Sequence, residues 1–246
     1  MSAAIAEHGA ALAYAALVLF LAYFVRGMAG FGSGLIAVPL LTLSWPLPVI
    51  LPLVVALDYI GSAGQSVRNA RHIAWREQLV LVPFMIVGVA LGLYVLRAVP
   101  AALLARVLGG FVLVYAVYQL LPRPPLRRSR MLAGVCGVLG GLMGTVFGTG
   151  GPFYVIYLNL RQLDKTAFRA TFASNFLLDG GVRLVAYVVV GLLRVQTLVA
   201  VIAALPVVSA ALFAGGRLQA RFSPRTFQWL ISALLFGSGL ALLLRR

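Results

Sequence analysis

Residues 26–39 read RGMAGFGSGLIAVP, and residues 144–152 read GTVFGTGGP. Both stretches interrupt apolar runs, and the manner of the interruption decides the fold. Clustered glycine lets the backbone leave helical geometry at little steric cost. Each cluster leads into a short apolar element with a proline in it or opening it, Pro39 in the first and Pro152 in the second. These elements, 31–45 and 152–160, fall short of the roughly 20 residues that a spanning helix needs. They read as broken or re-entrant helices.

The rest of the chain explains why such breaks matter. Its 246 residues are 62% hydrophobic and 10% charged. Soluble domains carry about 25% charged residues and bury less apolar surface than this chain would have to. Lipid is the solvent that removes the conflict. Eight further apolar stretches lie at 10–25, 48–67, 78–96, 101–121, 131–147, 167–190, 197–216 and 227–244. Open strands cannot span a bilayer, so all ten elements are read as helices. The expected fold is an all-α polytopic membrane protein with about 8–10 membrane helices.

The net charge of +15 suggests nucleic acid only in a soluble protein. Here the basic residues sit in short loops, as in cytoplasmic loops of membrane proteins. No basic helix or aromatic platform stands outside the apolar segments, so nucleic acid is not an expected partner. Grouping loops by side gives 14 Lys and Arg on one side (Arg26, Arg68, Arg71, Arg76, the four arginines of the connector 122–130, Arg161, Lys165, Arg169, Arg217, Arg221 and Arg225) and 5 on the other (Arg97, Arg106, Arg194, Arg245 and Arg246). The richer side is expected in the cytoplasm and both termini outside. This parity requires each short element to pair with its predecessor as a hairpin or double span. The N-terminus lacks the basic stretch of a cleaved signal peptide, so the first apolar run is read as a retained helix.

The chain reads as duplicated. Phe31-Gly32-Ser33-Gly34 matches Phe147-Gly148-Thr149-Gly150 at an offset of 116, and the stretch around His72 falls opposite that around Arg194 at 120. The expected organisation is a first repeat at 1–121, a cytoplasmic connector at 122–130 and a second repeat at 131–246. Five elements per half is an odd number, so the halves are expected to be inverted, a pattern of secondary transporters.

Backbone freed at the breaks must find partners at membrane depth. A helix N-terminus offers unpaired N–H donors and a partial positive charge, which suits an anion. Gly32, Ser33, Gly34, Gly148, Thr149, Gly150 and Gly151 are therefore candidate binding residues, with Ser33 and Thr149 adding hydroxyls. Simple helix packing is the alternative, since Gly140, Gly144 and Gly148 recur every four residues. Thr171, Asn175, Asp179 and Arg183 share one face of the eighth element. Charges inside a span usually mark a pathway, although Asp179 and Arg183 can also form a packing ion pair. Asn175 and Arg183 join the candidate anion ligands. Asp58, near Ser62 and Gln65, is the sole carboxylate in the first half's spans; it reads as a proton carrier or a bonded structural group. Cys136 reads as packing. His8 and His72 are too few and too far apart for zinc, and neither metal nor cofactor is expected.

At 29–41 (AGFGSGLIAVPLL), 147–158 (FGTGGPFYVIYL) and 169–191 (RATFASNFLLDGGVRLVAYVVVG) the chain resembles the TauE/SafE sulfite exporter family, also called the toluene-sulfonate uptake permease family. The first copy follows the family's pattern of glycines with a proline about five residues on. The second has Pro152 directly after Gly151. The resemblance implies a multi-pass transporter of the bacterial inner membrane for small anions such as sulfite, sulfonates or related organic acids. It leaves the substrate, the direction and the coupling ion open.

A secondary anion transporter is thus the leading expectation, with the small anion and the bilayer as partners. An anion channel is the second reading. A membrane-embedded enzyme built on Ser33 is the third; it lacks a base, since His8 and His72 lie elsewhere. The sequence is compatible with a homodimer and does not fix the oligomeric state.

Overall fold

The computed structural model describes residues 2–68, 70–121, 132–218 and 224–244. The connector 122–130, Arg221, Arg245 and Arg246 lie outside the described residues, as do the side chains of His8, Gln65, Arg68, Lys165 and Arg225. The described chain is helical throughout: α1 (Ser2–Ala29), α2 (Ser33–Thr42), α3 (Leu47–Arg68), α4 (Trp75–Ala98), α5 (Ala101–Leu120), α6 (Leu132–Phe147), α7 (Gly151–Leu160), α8 (Lys165–Val189), α9 (Val195–Leu218) and α10 (Pro224–Leu244). One 3₁₀ turn, Ala70–His72, precedes α4. Among the described residues α1, α3, α4, α5, α8 and α9 are long and apolar enough to cross a membrane.

The two short elements are helices of ten residues each. α2 is apolar on every side and nearly all of it is buried, as expected of a helix surrounded by protein rather than facing lipid or water. It folds back along α1 as a hairpin: Tyr14 Oη of α1 donates to the Leu40 carbonyl at 2.8 Å. α3 then runs parallel to α1, with Tyr23 beside Val54 and Arg26 beside Ser62. Both breaks turn on a left-handed glycine, Gly30 (φ 84°) and Gly148 (φ 67°), a conformation that costs a side-chain-bearing residue energy.

Helix pairing repeats across the chain. α4 packs on α6 and α1 on α9; α3 packs on α8 and α5 on α10. Exchanging the first five helices for the last five maps this set of pairs onto itself. Glycine makes the first two contacts close. Gly88 of α4 faces the backbone of Val138 and Leu142, and Gly92 faces Thr145, while Gly27 of α1 faces the Leu212 carbonyl. Small residues allow such approach where the hydrophobic effect cannot drive association.

The two breaks have the same spacing. Ser33 to Gly151, Thr42 to Leu160, and Gly30 to Gly148 are each separations of 118 residues. The motif match at 116 is therefore two residues out of register with the helices. Ser33 corresponds to Gly151, and Thr149 corresponds to Phe31. A local match of FGSG to FGTG aligns identities, whereas the start of each short helix is set by where its glycine turn ends.

Polar ends are satisfied locally. Asp164 caps α8, accepting from the Thr166 and Ala167 N–H groups at 2.9 Å each. The Ala167 N–H, then that of Thr166, hold its carboxyl below the usual range. α8 ends at left-handed Gly191, where the Leu192 N–H returns to the Tyr187 carbonyl at 2.8 Å. Cys136 is buried in the core, as read from sequence.

The tightest point is between the breaks. A Cβ on Gly34 would collide with the Gly148 carbonyl, whereas one on Gly110 of α5 would meet nothing within 4 Å. Gly34→Ala is expected to cost about 3 kcal/mol or more through backbone displacement, while Gly110→Ala gains up to about 1 kcal/mol from helix propensity. Thermal unfolding of the two variants in detergent checks this; equal midpoints would contradict the contact.

Candidate functional site

The first break carries a buried cluster that joins three helices. Arg26, in the last turn of α1, is 2% exposed and forms an ion pair with Asp58 of α3. Its guanidinium also donates to Ser33 Oγ at 3.1 Å, to the Asp58 carbonyl at 3.1 Å and to Ser62 Oγ at 2.5 Å. Asp58 Oδ1 accepts further from Tyr23 Oη and Ser33 Oγ, both at 2.7 Å. The Phe176 ring of α8 closes the other side, its centroid 5.4 Å from the guanidinium carbon, within cation–π range. Asp58 stands midway along α3, so this break lies level with the middle of a long helix.

The second break has its own pair, built differently. Arg183 and Asp179 are one turn apart on α8 and form a buried ion pair. Arg183 Nη1 donates to the Gly144 carbonyl of α6 at 2.7 Å, and Tyr154 Oη of α7 donates to Asp179 Oδ1 at 3.1 Å. Tyr187 Oη reaches the Thr145 carbonyl at 2.6 Å. Gly144 lies directly against the guanidinium: a Cβ there would be in contact with its carbon at 3.4 Å.

The breaks face each other. Gly34 packs on the Gly148 carbonyl, Gly148 packs towards Val38 and Leu51, and Phe31 meets Phe172 edge-on at 5.6 Å between centroids. The N–H groups of Ser33, Gly34 and Leu35 find no acceptor among the described residues, as the first turn of a helix requires. α7 offers fewer donors: Pro152 has no N–H, and Phe153 N donates to the Gly150 carbonyl at 3.2 Å. Thr149 does not mirror Ser33. Its hydroxyl sits 3.5 Å from the Met143 carbonyl, on its own side of the break.

The face predicted on α8 is real: Thr171, Asn175, Asp179 and Arg183 are all buried. Thr171 Oγ1 accepts from the Ala74 N–H at 2.9 Å. Asn175 is 0% exposed, and neither atom of its amide has a hydrogen-bond partner. Arg183 Nε is likewise unpartnered. Ser33, Gly34, Gly150 and Gly151 are buried, and Gly32 and Gly148 are half-buried. Gly150 and Gly151 pack on Gly140 and Phe176.

Three sequence expectations change. Arg26 is a buried ligand of the first break and not a loop residue. The glycine cluster that follows made it look like the edge of an apolar run, but α1 continues through Ala29. Asp58 is consequently not a lone carboxylate; it is one half of an ion pair. Arg161 is also buried, its Nε 2.9 Å from Glu77 of α4, which accepts from Tyr157 Oη at 2.6 Å. Among the described residues no group of three or more His, Cys, Asp or Glu could hold a metal. The residues that sequence reading missed, Arg26, Tyr23, Tyr154 and Gln78, had one available signal. An unpaired carboxylate in a span calls for a cation, and Arg26 is the nearest one before Asp58.

Residues 15–242 match the family described as sulfite exporter TauE/SafE. The chain belongs to the sulfite exporter TauE/SafE family. It is 29% identical over 230 residues to the "Probable sulfite/organosulfonate exporter TauE" of Cupriavidus necator, covering 90% of this chain and 89% of that protein. It is 25% identical over 195 residues to the "Probable inner membrane transporter protein TsaS" of Comamonas testosteroni, covering 77% and 81%. No solved structure matches the chain. The family is one of transporters, not enzymes, and this member is a multi-pass membrane protein.

In this TauE/SafE protein, Arg26→Met strands Asp58 as a buried charge and is expected to destabilise by about 3–5 kcal/mol. The double variant Arg26→Met with Asp58→Leu removes both charges and is expected to recover at least half of that loss. Unfolding midpoints of the two singles and the double test this; additive losses would show that the pair is not coupled.

Proposed function

We propose that the protein is a secondary transporter of small anions, sulfite or organosulfonates, which binds its anion where the N-termini of α2 and α7 meet. The observation that carries this reading is the meeting itself. Two helix breaks abut at Gly34 and Gly148, with unpaired N–H groups on α2 and a buried arginine on either side. Helix N-termini and arginine both favour an anion, and their effect is strongest where water is excluded.

The binding residues proposed are the backbone at Gly32, Ser33, Gly34, Gly148, Gly150 and Gly151, with Thr149, Asn175 and Arg183, and with Arg26 now added. Arg26, Arg183, Asp58 and Asp179 together carry no formal net charge. The anion therefore relies on donors that the ion pairs leave over, Arg183 Nε and the α2 N–H groups.

The two halves act as inverted repeats of five helices about this site, near the bilayer midplane. The self-mapping helix pairs and the shared spacing of 118 residues support that organisation. The hairpin course of α2 also keeps the side assignment of the loops. The turn before α4 lies against the start of α8, both on the proposed cytoplasmic side. Names of the relatives support an exporter role in the bacterial inner membrane. Ser33, Thr149, Asn175 and Arg183 are all buried, which suits an occluded state of alternating access rather than a continuous pore.

Purified protein in liposomes is expected to catalyse counterflow of labelled sulfite or a C2 sulfonate, saturable and stimulated by the same anion on the far side. Arg183→Gln is expected to reduce the rate by about 10–100-fold through loss of a charged donor. Flux that rises linearly with concentration, without stimulation from the far side, would favour a channel instead.

A further inference from the structure

Two buried amides near the breaks have hydrogen-bonding capacity that nothing in the chain uses. Asn175 of α8 is 0% exposed with Nδ2 and Oδ1 both unpartnered. Gln78 of α4 is 1% exposed, and its Oε1 is unpartnered. Buried polar groups are almost always satisfied, and leaving one unmade is costly. An orphaned pair therefore points to a ligand.

The two amides belong to one place. Gln78 Nε2 donates to the Thr171 carbonyl at 2.6 Å. Thr171 lies four residues before Asn175 on the same face of α8, about 6 Å along the axis. Asn175 in turn lies one turn before Asp179, which Tyr154 in the first turn of α7 reaches. Asn175 thus lies beside the N-terminal turn of α7, where Gly151 packs on Phe176, and Gln78 lies one step further towards the α3–α4 turn, bonded to the Thr171 carbonyl.

Their chemistry is specific. The bond to the Thr171 carbonyl fixes the orientation of Gln78, because a flipped amide would set oxygen against oxygen. Its free atom is then an acceptor. Asn175, in either orientation, offers one acceptor and one donor. A fully deprotonated sulfite or an alkyl sulfonate has only acceptors. It can use the Asn175 N–H, Arg183 Nε and the α2 N–H groups, but it leaves both amide oxygens unmet.

We infer that the transported anion carries a second polar group that donates hydrogen bonds, a hydroxyl to one of the Gln78 and Asn175 amide oxygens or an amine to both, while the anionic end lies at the helix breaks. This rests on the anion-site reading above and narrows its substrate to hydroxy- or amino-substituted small sulfonates and similar acids. A site built to bond a hydroxyl discriminates strongly against the analogue without one, because its own polar groups are left unpaired.

The test compares 2-hydroxyethanesulfonate with propane-1-sulfonate, equal in heavy atoms and charge and differing in OH for CH₃. Affinity is read from thermal stabilisation of the purified full chain in detergent, so no flux is needed. The hydroxy compound is expected to bind about 10–100-fold more tightly. Gln78→Met and Asn175→Leu, each near its parent in size, are expected to bring the ratio towards one. Wild-type ratios within about twofold, as when ordered water already satisfies the amides, overturn the inference and leave the anion site standing. Stabilisation by neither compound, nor by sulfite, overturns both.

Discussion

Two backbones touch at Gly34 and Gly148, with no room for a side chain between them, and most of the architecture answers to that contact. It brings the start of one short helix against the first residue of the other break, where each exposes polar backbone. Such backbone is tolerable at membrane depth only when protein surrounds it. α2 is accordingly buried almost throughout. The long helices form that enclosure, and glycines such as Gly27, Gly88 and Gly92 let them close on one another. The same residue type thus does two jobs. At Gly30 and Gly148 it turns the chain, and along α1 and α4 it removes bulk.

The charged groups follow the breaks and are built unequally. In the first half the arginine comes from α1 and its donors are shared among Asp58, Ser33 and Ser62. In the second half the arginine comes from α8, and Gly144 leaves the space on α6 that corresponds, at the common spacing of 118, to Arg26. Arg183 keeps one unpartnered nitrogen. One half is therefore cross-linked through its ion pair, whereas the other retains a charged donor with spare capacity. Buried ion pairs are weak sources of stability once desolvation is counted, which fits the proposal that they serve an anion at the breaks.

Much of this was legible in the sequence because it depended on local chemistry. Glycine clusters beside shortened apolar elements announced the breaks, and a four-residue spacing put Asn175, Asp179 and Arg183 on one face. What escaped was tertiary. Whether Arg26 ends a helix or starts a loop depends on Asp58, thirty-two residues away and on another helix. The motif offset of 116 differs by two from the 118 that separates the short helices, because identity of short motifs does not report where a helix begins. Gln78 looked like any polar residue at the edge of a span, and only the course of α4 beside α8 gives it a role.

The two ends of the helix pack are built differently. Towards the α3–α4 turn, Glu77 and Arg161 form a buried ion pair that ties α4 to the end of α7, and Gln78 adds a bond to α8. Towards the α8–α9 turn there is instead a cavity of about 220 Å³, lined by Pro48, Val49, Leu53, Arg194, Gln196 and Thr197 among others. Opening the first end means separating charges held out of water, a cost that new contacts or solvation must offset. Opening the second means parting mainly apolar surfaces, with an exposed arginine already at the rim. A pair of equivalent halves would give equivalent ends. On the proposed anion-site reading, the departures from equivalence at Arg26, Gly144, Glu77 and Arg161 would hold one end of the site more firmly than the other.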